Sequence, residues 1–137
     1  MKRPLIVFAN LLVLSAALSA CGEKGPTTHI EVNMVEFTFT PDEFMVPAGE
    51  QISITATNNG AVKHDFVIFN LGTSPGDKFD EEDKPNICWQ LELGPGESVT
   101  TTFAAPSEAG DYSISCGIEG HLQACMSGKL HVVAAGE

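Results

Sequence analysis

The segment from Cys116 to Met126 carries three side chains that can bind a soft metal ion, at a regular spacing. Four residues separate Cys116 from His121, and four more separate His121 from Met126. Cys116 ends a stretch in which apolar and polar residues alternate as in a β-strand, and Gly117 and Gly120 favour a tight loop after it. Such a loop would fold His121 and Met126 back toward the Cys116 thiol.

A second imidazole is available at His64, on the apolar face of another predicted strand. Two imidazoles and one thiolate in a plane, with a thioether at longer range, are the ligand set of a blue-copper electron-transfer site. Zinc is the main chemical competitor, but structural zinc sites use four strong ligands, commonly with C-x2-C pairs, and the sequence has no such pair. The sequence therefore favours a copper site formed by His64, Cys116, His121 and Met126.

Alternation of apolar and polar residues recurs along the chain and predicts short β-strands. It is clearest at residues 30–34, 52–56, 99–103 and 112–116. Turn signals rich in Gly, Pro and Asn separate these stretches, which is typical of a β-sandwich or barrel. After Met34 the apolar set shifts to Val35, and we expect a bulge there that carries the chain from one sheet to the other.

Three segments resemble those of the cupredoxin family, closest in kind to plastocyanin and auracyanin. They are residues 39–50, where many cupredoxins enter the second sheet, residues 58–68 around the first histidine, and residues 108–116, the strand that delivers the cysteine. The resemblance implies an all-β, Greek-key β-sandwich or barrel of about seven to eight strands, the cupredoxin fold. It also implies one type 1 copper ion per chain.

By that resemblance His64 and His121 are imidazole ligands, Cys116 is the thiolate ligand and Met126 is the axial ligand. Plastocyanin-like loops usually have proline where Glu119 stands and glycine where Cys125 stands. A negative charge at Glu119 favours the oxidised, more positive metal and lowers the reduction potential. Binuclear copper sites need a cysteine at position 120, which is glycine here, so that type of site is excluded.

Cys88 and Cys125 are left as a pair if Cys116 binds metal and Cys21 is lipidated. A disulfide between them is the expectation for an exported protein, and it would brace the ligand loop. Two free thiols are the alternative, because sequence alone does not place their Cα atoms within bonding distance. Cys125 could also replace Met126 as a ligand.

Residues 1–20 read as an export signal, with Lys2 and Arg3 before an apolar run that is shorter than the about 20 residues of a membrane span. The run ends at residues 18–21, Leu-Ser-Ala-Cys, which resembles the lipobox of bacterial lipoproteins with Cys21 as the lipidated residue. An ordinary secretory signal is the alternative. We predict a signal peptide at 1–20, a lipid-anchored tether at 21–28, a cupredoxin domain at 29–137, and a location on the periplasmic or extracellular face of a membrane.

Removal of residues 1–20 takes the formal net charge from −11 to −13. So acidic a domain would be repelled by nucleic acid and would attract a basic protein, although a solubilising surface explains the charge equally well. The resulting hypothesis is a monomeric electron carrier, not an enzyme, between redox proteins such as c-type cytochromes or membrane electron-transfer complexes. The alternative is a module that stores copper or delivers it to a membrane oxidase or reductase.

Several other residues have expected roles. His29 and His131 are expected to face solvent. The resemblance implies that a group near the first histidine braces the Cys116 sulfur, which makes Asp65 a candidate, and an ordinary surface aspartate is the alternative. By analogy with the family, an apolar patch at the exposed edge of His121 should contain the side chains of Ala61, Ile118 and Leu122.

Overall fold

The computed structural model describes residues 25–136. The predicted signal peptide and the predicted lipidation of Cys21 lie outside the described residues. Thr27 and Thr28, at the end of the predicted tether, are bonded to the domain, since Thr27 N donates to Met45 O at 3.0 Å and Ser53 N donates to Thr28 O at 2.8 Å. No helix within residues 25–136 is long and apolar enough to cross a membrane.

Within the described residues, nine strands form two sheets. They are β1 (His29–Val35), β2 (Thr38–Thr40), β3 (Glu43–Pro47), β4 (Gln51–Asn58), β5 (His64–Phe69), β6 (Ile87–Leu93), β7 (Ser98–Ala104), β8 (Gly110–Ser115) and β9 (Ser127–Val133). The strand order is β2-β1-β4-β7 in one sheet and β3-β9-β8-β5-β6 in the other. The all-β prediction is confirmed, with one strand more than expected because β2 is too short to show alternation.

The core lies between the sheets and consists of the inward residues of each alternating strand. Ile52, Ile54 and Ala56 of β4 are fully buried. Phe66 of β5 meets Phe39 and Phe44 edge to face, with ring centroids 5.3 and 5.7 Å apart. These contacts join elements of both sheets, so β5 is held rigidly where it presents its first residue, His64.

The chain reverses between β1 and β2 in a tight hairpin, in which Val35 pairs with Thr38 and Met34 with Phe39. The predicted bulge between the sheets is therefore wrong. The shift in the apolar pattern marks the turn, and the chain enters the second sheet only at β3. Glu36 and Phe37 form the tip of this hairpin, at the same end of the sandwich as His64.

Two further connections complete the domain. The charged segment after β5 ends in a single 3-10 turn, Lys84–Asn86, which leads into β6. The last connection joins adjacent antiparallel strands, since Ser115 at the end of β8 pairs with Ser127 at the start of β9. The segment between them, residues 116–126, is thus closed at its base by strand pairing.

Candidate metal centre

His64 is placed by β5 and by the segment before it. As the first residue of β5 it pairs with Leu93 of β6, and its side chain is fully buried. The buried Asn58 amide holds the preceding segment, because Nδ2 donates to Val62 O at 2.8 Å and to Leu93 O at 3.0 Å. Oδ1 of the same side chain accepts a hydrogen bond from Gly60 N at 2.9 Å. The backbone that leads into His64 is therefore fixed at two points and is tied to β6 at Leu93.

Cys116 and His121 are placed by the loop between β8 and β9. Cys116 follows the last residue of β8, and its N–H donates to Met126 O at 3.0 Å. Inside the loop, Met126 N donates to His121 O and His121 N donates to Ile118 O, both at 3.1 Å. These bonds wind the loop so that the side chain of His121 comes back over Cys116.

The two histidines and the cysteine converge in space. The Nδ1 atoms of His64 and His121 are 3.2 Å apart. The Cys116 Sγ lies 3.3 Å from His121 Nδ1 and 4.0 Å from His64 Nδ1. Cys116 and His64 are fully buried, and His121 is 7% exposed. Three metal-binding atoms of buried residues thus face one another, and this convergence was predicted from the sequence.

Residues 6–132 match the family model of the cupredoxin-like domain. The chain belongs to the cupredoxin family. Auracyanin-A of Chloroflexus aurantiacus is 33% identical over 158 aligned positions, which cover 93% of this chain and 96% of that protein. The copper-resistant cuproprotein CopI of Rubrivivax gelatinosus is 31% identical over 101 positions, which cover 69% of this chain and 59% of CopI. Dithionite-reduced auracyanin from the photosynthetic bacterium Roseiflexus castenholzii has a similar structure, with a TM-score of 0.67 and 32% identity, and the match covers 80% of this chain and 99% of that one.

The donor set of this cupredoxin fits one type 1 copper ion. A thiolate and two imidazole nitrogens suit copper, and within residues 25–136 they form the one group of three or more His, Cys, Asp or Glu residues whose ligand atoms all lie within 4.8 Å of one another. Met126, the predicted axial ligand, is fully buried. Its backbone is hydrogen-bonded to the backbones of Cys116 and His121, so Met126 lies in the same turn of the loop as these two residues. Its sulfur as the axial ligand stays a prediction.

The protonation of the ligands depends on burial. Burial raises the pKa of the Cys116 thiol. Burial and then the nearby His64 lower the pKa of His121. At neutral pH the protein alone therefore holds a neutral thiol beside a neutral imidazole. A metal cation has to displace the thiol proton, so metal affinity should rise with pH.

The backbone of Asp65 braces the cysteine, as predicted. Its N–H points at the Cys116 Sγ at 3.4 Å. The environment of its side chain differs from that of an ordinary surface carboxyl, because burial and then the charge of Glu92 raise the pKa of Asp65 to about 6. Gly117 leaves room for this carboxyl, since a Cβ there would lie 2.9 Å from Asp65 Oδ2.

The tip of the β1–β2 hairpin contacts both histidines, and no sequence pattern predicts these contacts. Glu36 Oε1 lies 3.5 Å from His64 Nε2, and the ring of Phe37 meets that of His121 edge to face at 4.8 Å. Hydrogen bonds from its own backbone amide, and then from those of Val62 and Ala61, lower the pKa of Glu36. No local motif marks these contacts, because the partners are 25 or more residues apart.

Apolar side chains are exposed or half-buried on the segments that carry or adjoin the two histidines. Ala61 is exposed, while Ile118 and Leu122 are half-buried. Two larger side chains were not predicted: Phe37 is 40% exposed and Val62 is 42% exposed. Single exposed apolar residues are ordinary, but these two lie on the hairpin and the segment that adjoin the histidines.

The predicted disulfide between Cys88 and Cys125 is wrong, since both residues are exposed free thiols. Leu93 is the residue of β6 that pairs with His64 at the metal end, and Cys88 lies five residues further along the strand. At about 3.3 Å per residue Cys88 is about 17 Å from that end. Cys125 lies in the ligand loop, and a disulfide needs Cα atoms less than about 7 Å apart.

Proposed function

We propose that this cupredoxin carries single electrons between redox partners at a membrane surface. The observation that carries the proposal is the buried set of Cys116 and two histidines, of which only His121 reaches the surface. Copper bound there supplies a one-electron couple between its cuprous and cupric states. No substrate bond is made or broken.

The protein frame suits this role because the ligands come from rigid parts of the fold. His64 is fixed by β5 and the Asn58 amide, and Cys116 by the end of β8 and its bond to Met126. Ligands that cannot move hold one geometry in both oxidation states, so little reorganisation accompanies each transfer. His121 lies at the surface with Phe37 against its ring, and a partner would approach there.

The partners we propose are c-type cytochromes or membrane electron-transfer complexes. The high negative charge of the chain favours a partner with a basic face. The N-terminal signal and Cys21 support export and lipid anchoring, which would keep a monomeric carrier next to membrane-bound partners. These assignments rest on sequence and charge.

Storage or delivery of copper is a second candidate, and the similarity to the copper-resistant protein CopI favours it. A delivery protein has to release its metal readily to an acceptor. The buried ligands and the bonded loop argue against ready release, because a ligand has to leave its place before the metal can.

Stopped-flow reduction by a small c-type cytochrome, together with copper transfer to a chelator, separates the two functions. A carrier should be reduced rapidly and reversibly, should lose rate as ionic strength increases, and should keep its metal over many turnovers. Slow reduction with fast transfer to the chelator would favour delivery. A rate that does not change with ionic strength would contradict the basic partner.

A further inference from the structure

Glu36 joins three groups that belong to different parts of the chain. Its Oε1 accepts hydrogen bonds from Ala61 N at 2.6 Å and Val62 N at 3.1 Å. The same oxygen lies 3.5 Å from His64 Nε2. One carboxylate oxygen therefore ties the β1–β2 hairpin to the segment before β5 and faces the ligand imidazole itself.

His64 has no other partner for that nitrogen. The side chain is fully buried, and Nε2 makes no hydrogen bond within the described structure. Its other ring nitrogen, Nδ1, faces Cys116 Sγ and His121 Nδ1. An imidazole that gives Nδ1 to a metal keeps its proton on Nε2, so that proton is on the nitrogen that lies 3.5 Å from the Glu36 carboxylate.

Gly60 makes the close approach possible. A Cβ at position 60 would contact the Glu36 carboxylate oxygen and would lie 2.9 Å from His64 Nε2. Any larger residue would therefore separate Glu36 from the histidine. The side chain of Glu36 is 34% exposed, whereas that of His64 is fully buried. Water therefore screens the interaction between them only in part.

We propose that Glu36 is a positioning residue for the copper site: it holds the His64 imidazole with Nδ1 toward the metal and stabilises the cupric state through its negative charge. The inference deepens the proposed function and rests on it, since it takes His64 as a copper ligand. A carboxylate on the outer nitrogen makes a ligating imidazole more basic. A more basic ligand favours the more positive metal ion and lowers the reduction potential.

Two substitutions separate the charge of Glu36 from its hydrogen bonds. Glu36→Gln keeps an oxygen for the amides of Ala61 and Val62 but removes the charge. Glu36→Ala removes both. Glu31→Gln is the matched control, because it removes one negative charge from an exposed side chain of β1, the strand that leads to Glu36, away from the ligands.

Chelator competition measures the affinities for Cu2+ and Cu+. On the metal-free protein, thermal unfolding gives the melting temperature, and the nitrogen NMR signals of the His64 imidazole give its tautomer. We expect Glu36→Gln to weaken Cu2+ binding about tenfold with little change for Cu+, which raises the potential by about 59 mV. Glu36→Ala should in addition lower the melting temperature and change the His64 tautomer. Glu31→Gln should match the wild type in each measurement.

The inference is overturned if Glu36→Gln has the same ratio of Cu2+ to Cu+ affinity as Glu31→Gln, or if the His64 tautomer is unchanged in Glu36→Ala. If the wild-type protein has its thiolate-to-copper band, either result would reject only the role of Glu36 and would leave the copper assignment intact. A wild-type protein without a thiolate-to-copper band would instead reject the copper assignment on which the inference rests.

Discussion

The domain contains two sets of histidines whose environments differ. His64 and His121 are buried and face each other across Cys116 Sγ. The side chains of His29 and His131 are 53% and 26% exposed, and each lies near a carboxylate: His29 is 3.6 Å from Glu31, and His131 is 2.7 Å from Asp111.

Residue type alone therefore does not make a metal site. An exposed imidazole is satisfied by water or by a neighbouring carboxylate, and such pairs contribute little to stability. The Nδ1 atoms of His64 and His121 instead face a soft sulfur and each other, while the Glu36 carboxylate approaches only the outer nitrogen of His64. Burial and convergence therefore distinguish the two metal-binding histidines from the other two.

The largest difference should appear when one histidine of each set is removed. His121→Ala deletes an imidazole that converges on Cys116, so we expect loss of the visible thiolate-to-copper band and a fall in Cu2+ affinity of more than about 100-fold, the upper range for changes outside the ligand shell. His131→Ala should leave both unchanged. Absorption spectra and chelator competition measure these effects, and equal losses in the two variants would contradict the contrast.

The buried amide behind His64 should have the next largest effect. Asn58→Ala removes three hydrogen bonds and leaves backbone groups of Val62, Leu93 and Gly60 unpaired. We expect the free energy of unfolding of the metal-free protein to fall by about 2–3 kcal/mol in urea titrations. The exposed neighbour serves as the control, and Asn59→Ala should change stability by less than about 0.5 kcal/mol. Similar losses in both would mean that Asn58 does not support the site.

The carboxylates beside the two sets of histidines should contribute to stability with opposite dependence on pH. The folded-state pKa of Asp65 is raised from 3.8 to about 6, first by burial and then by Glu92. The folded metal-free protein therefore loses stability as pH rises through that interval. Asp65→Asn should be more stable than wild type by about 1–2 kcal/mol above pH 6, after screening is allowed for, with no difference below about pH 4.

Asp111 provides the comparison for Asp65. The hydrogen bond from His131 lowers the pKa of Asp111, so its contribution to stability is present above the ordinary carboxyl pKa and is lost as pH falls. Asp111→Asn should thus be slightly less stable than wild type at neutral pH. Urea titrations across this pH range measure both variants, and a change of the same sign in each would contradict the assigned environments.

The smallest effect concerns Cys125, which has a left-handed backbone with φ of 70°. Glycine adopts this conformation without the steric cost that a Cβ adds, so we expect Cys125→Gly to stabilise the protein by about 0.5–1 kcal/mol. Cys125→Ala removes the thiol but keeps the Cβ, and should have no such gain. If Cys125→Gly and Cys125→Ala were equally stable, loss of the thiol and not relief of the backbone conformation would explain any gain in stability.

Local patterns in the sequence were enough to predict that His64, Cys116 and His121 converge, and to predict most strands. The spacing of Cys116, His121 and Met126 is confined to one loop, and alternation records which side of a strand faces the core. The contacts that brace the site are of another kind. Glu36 and His64 are separated along the chain by β2, β3 and β4, and no periodicity encodes their contact.

The wrong prediction of a disulfide has the same origin. Cys88 and Cys125 were paired by counting cysteines, but the register of β6 against β5 places Cys88 far from the ligand loop. Register depends on tertiary packing and turn geometry, which spacing along the chain does not carry. The bulge expected after Met34 was wrong because a change of apolar phase also occurs at a hairpin turn.

The most direct test of the central claim is an optical titration of the purified protein with Cu2+, followed by ascorbate. We predict an intense visible thiolate-to-copper band that saturates at one copper per chain, bleaches on reduction, returns on oxidation, and is absent in Cys116→Ser but present in Cys88→Ser. Bound copper without that band, or a band that survives in Cys116→Ser, would contradict the account.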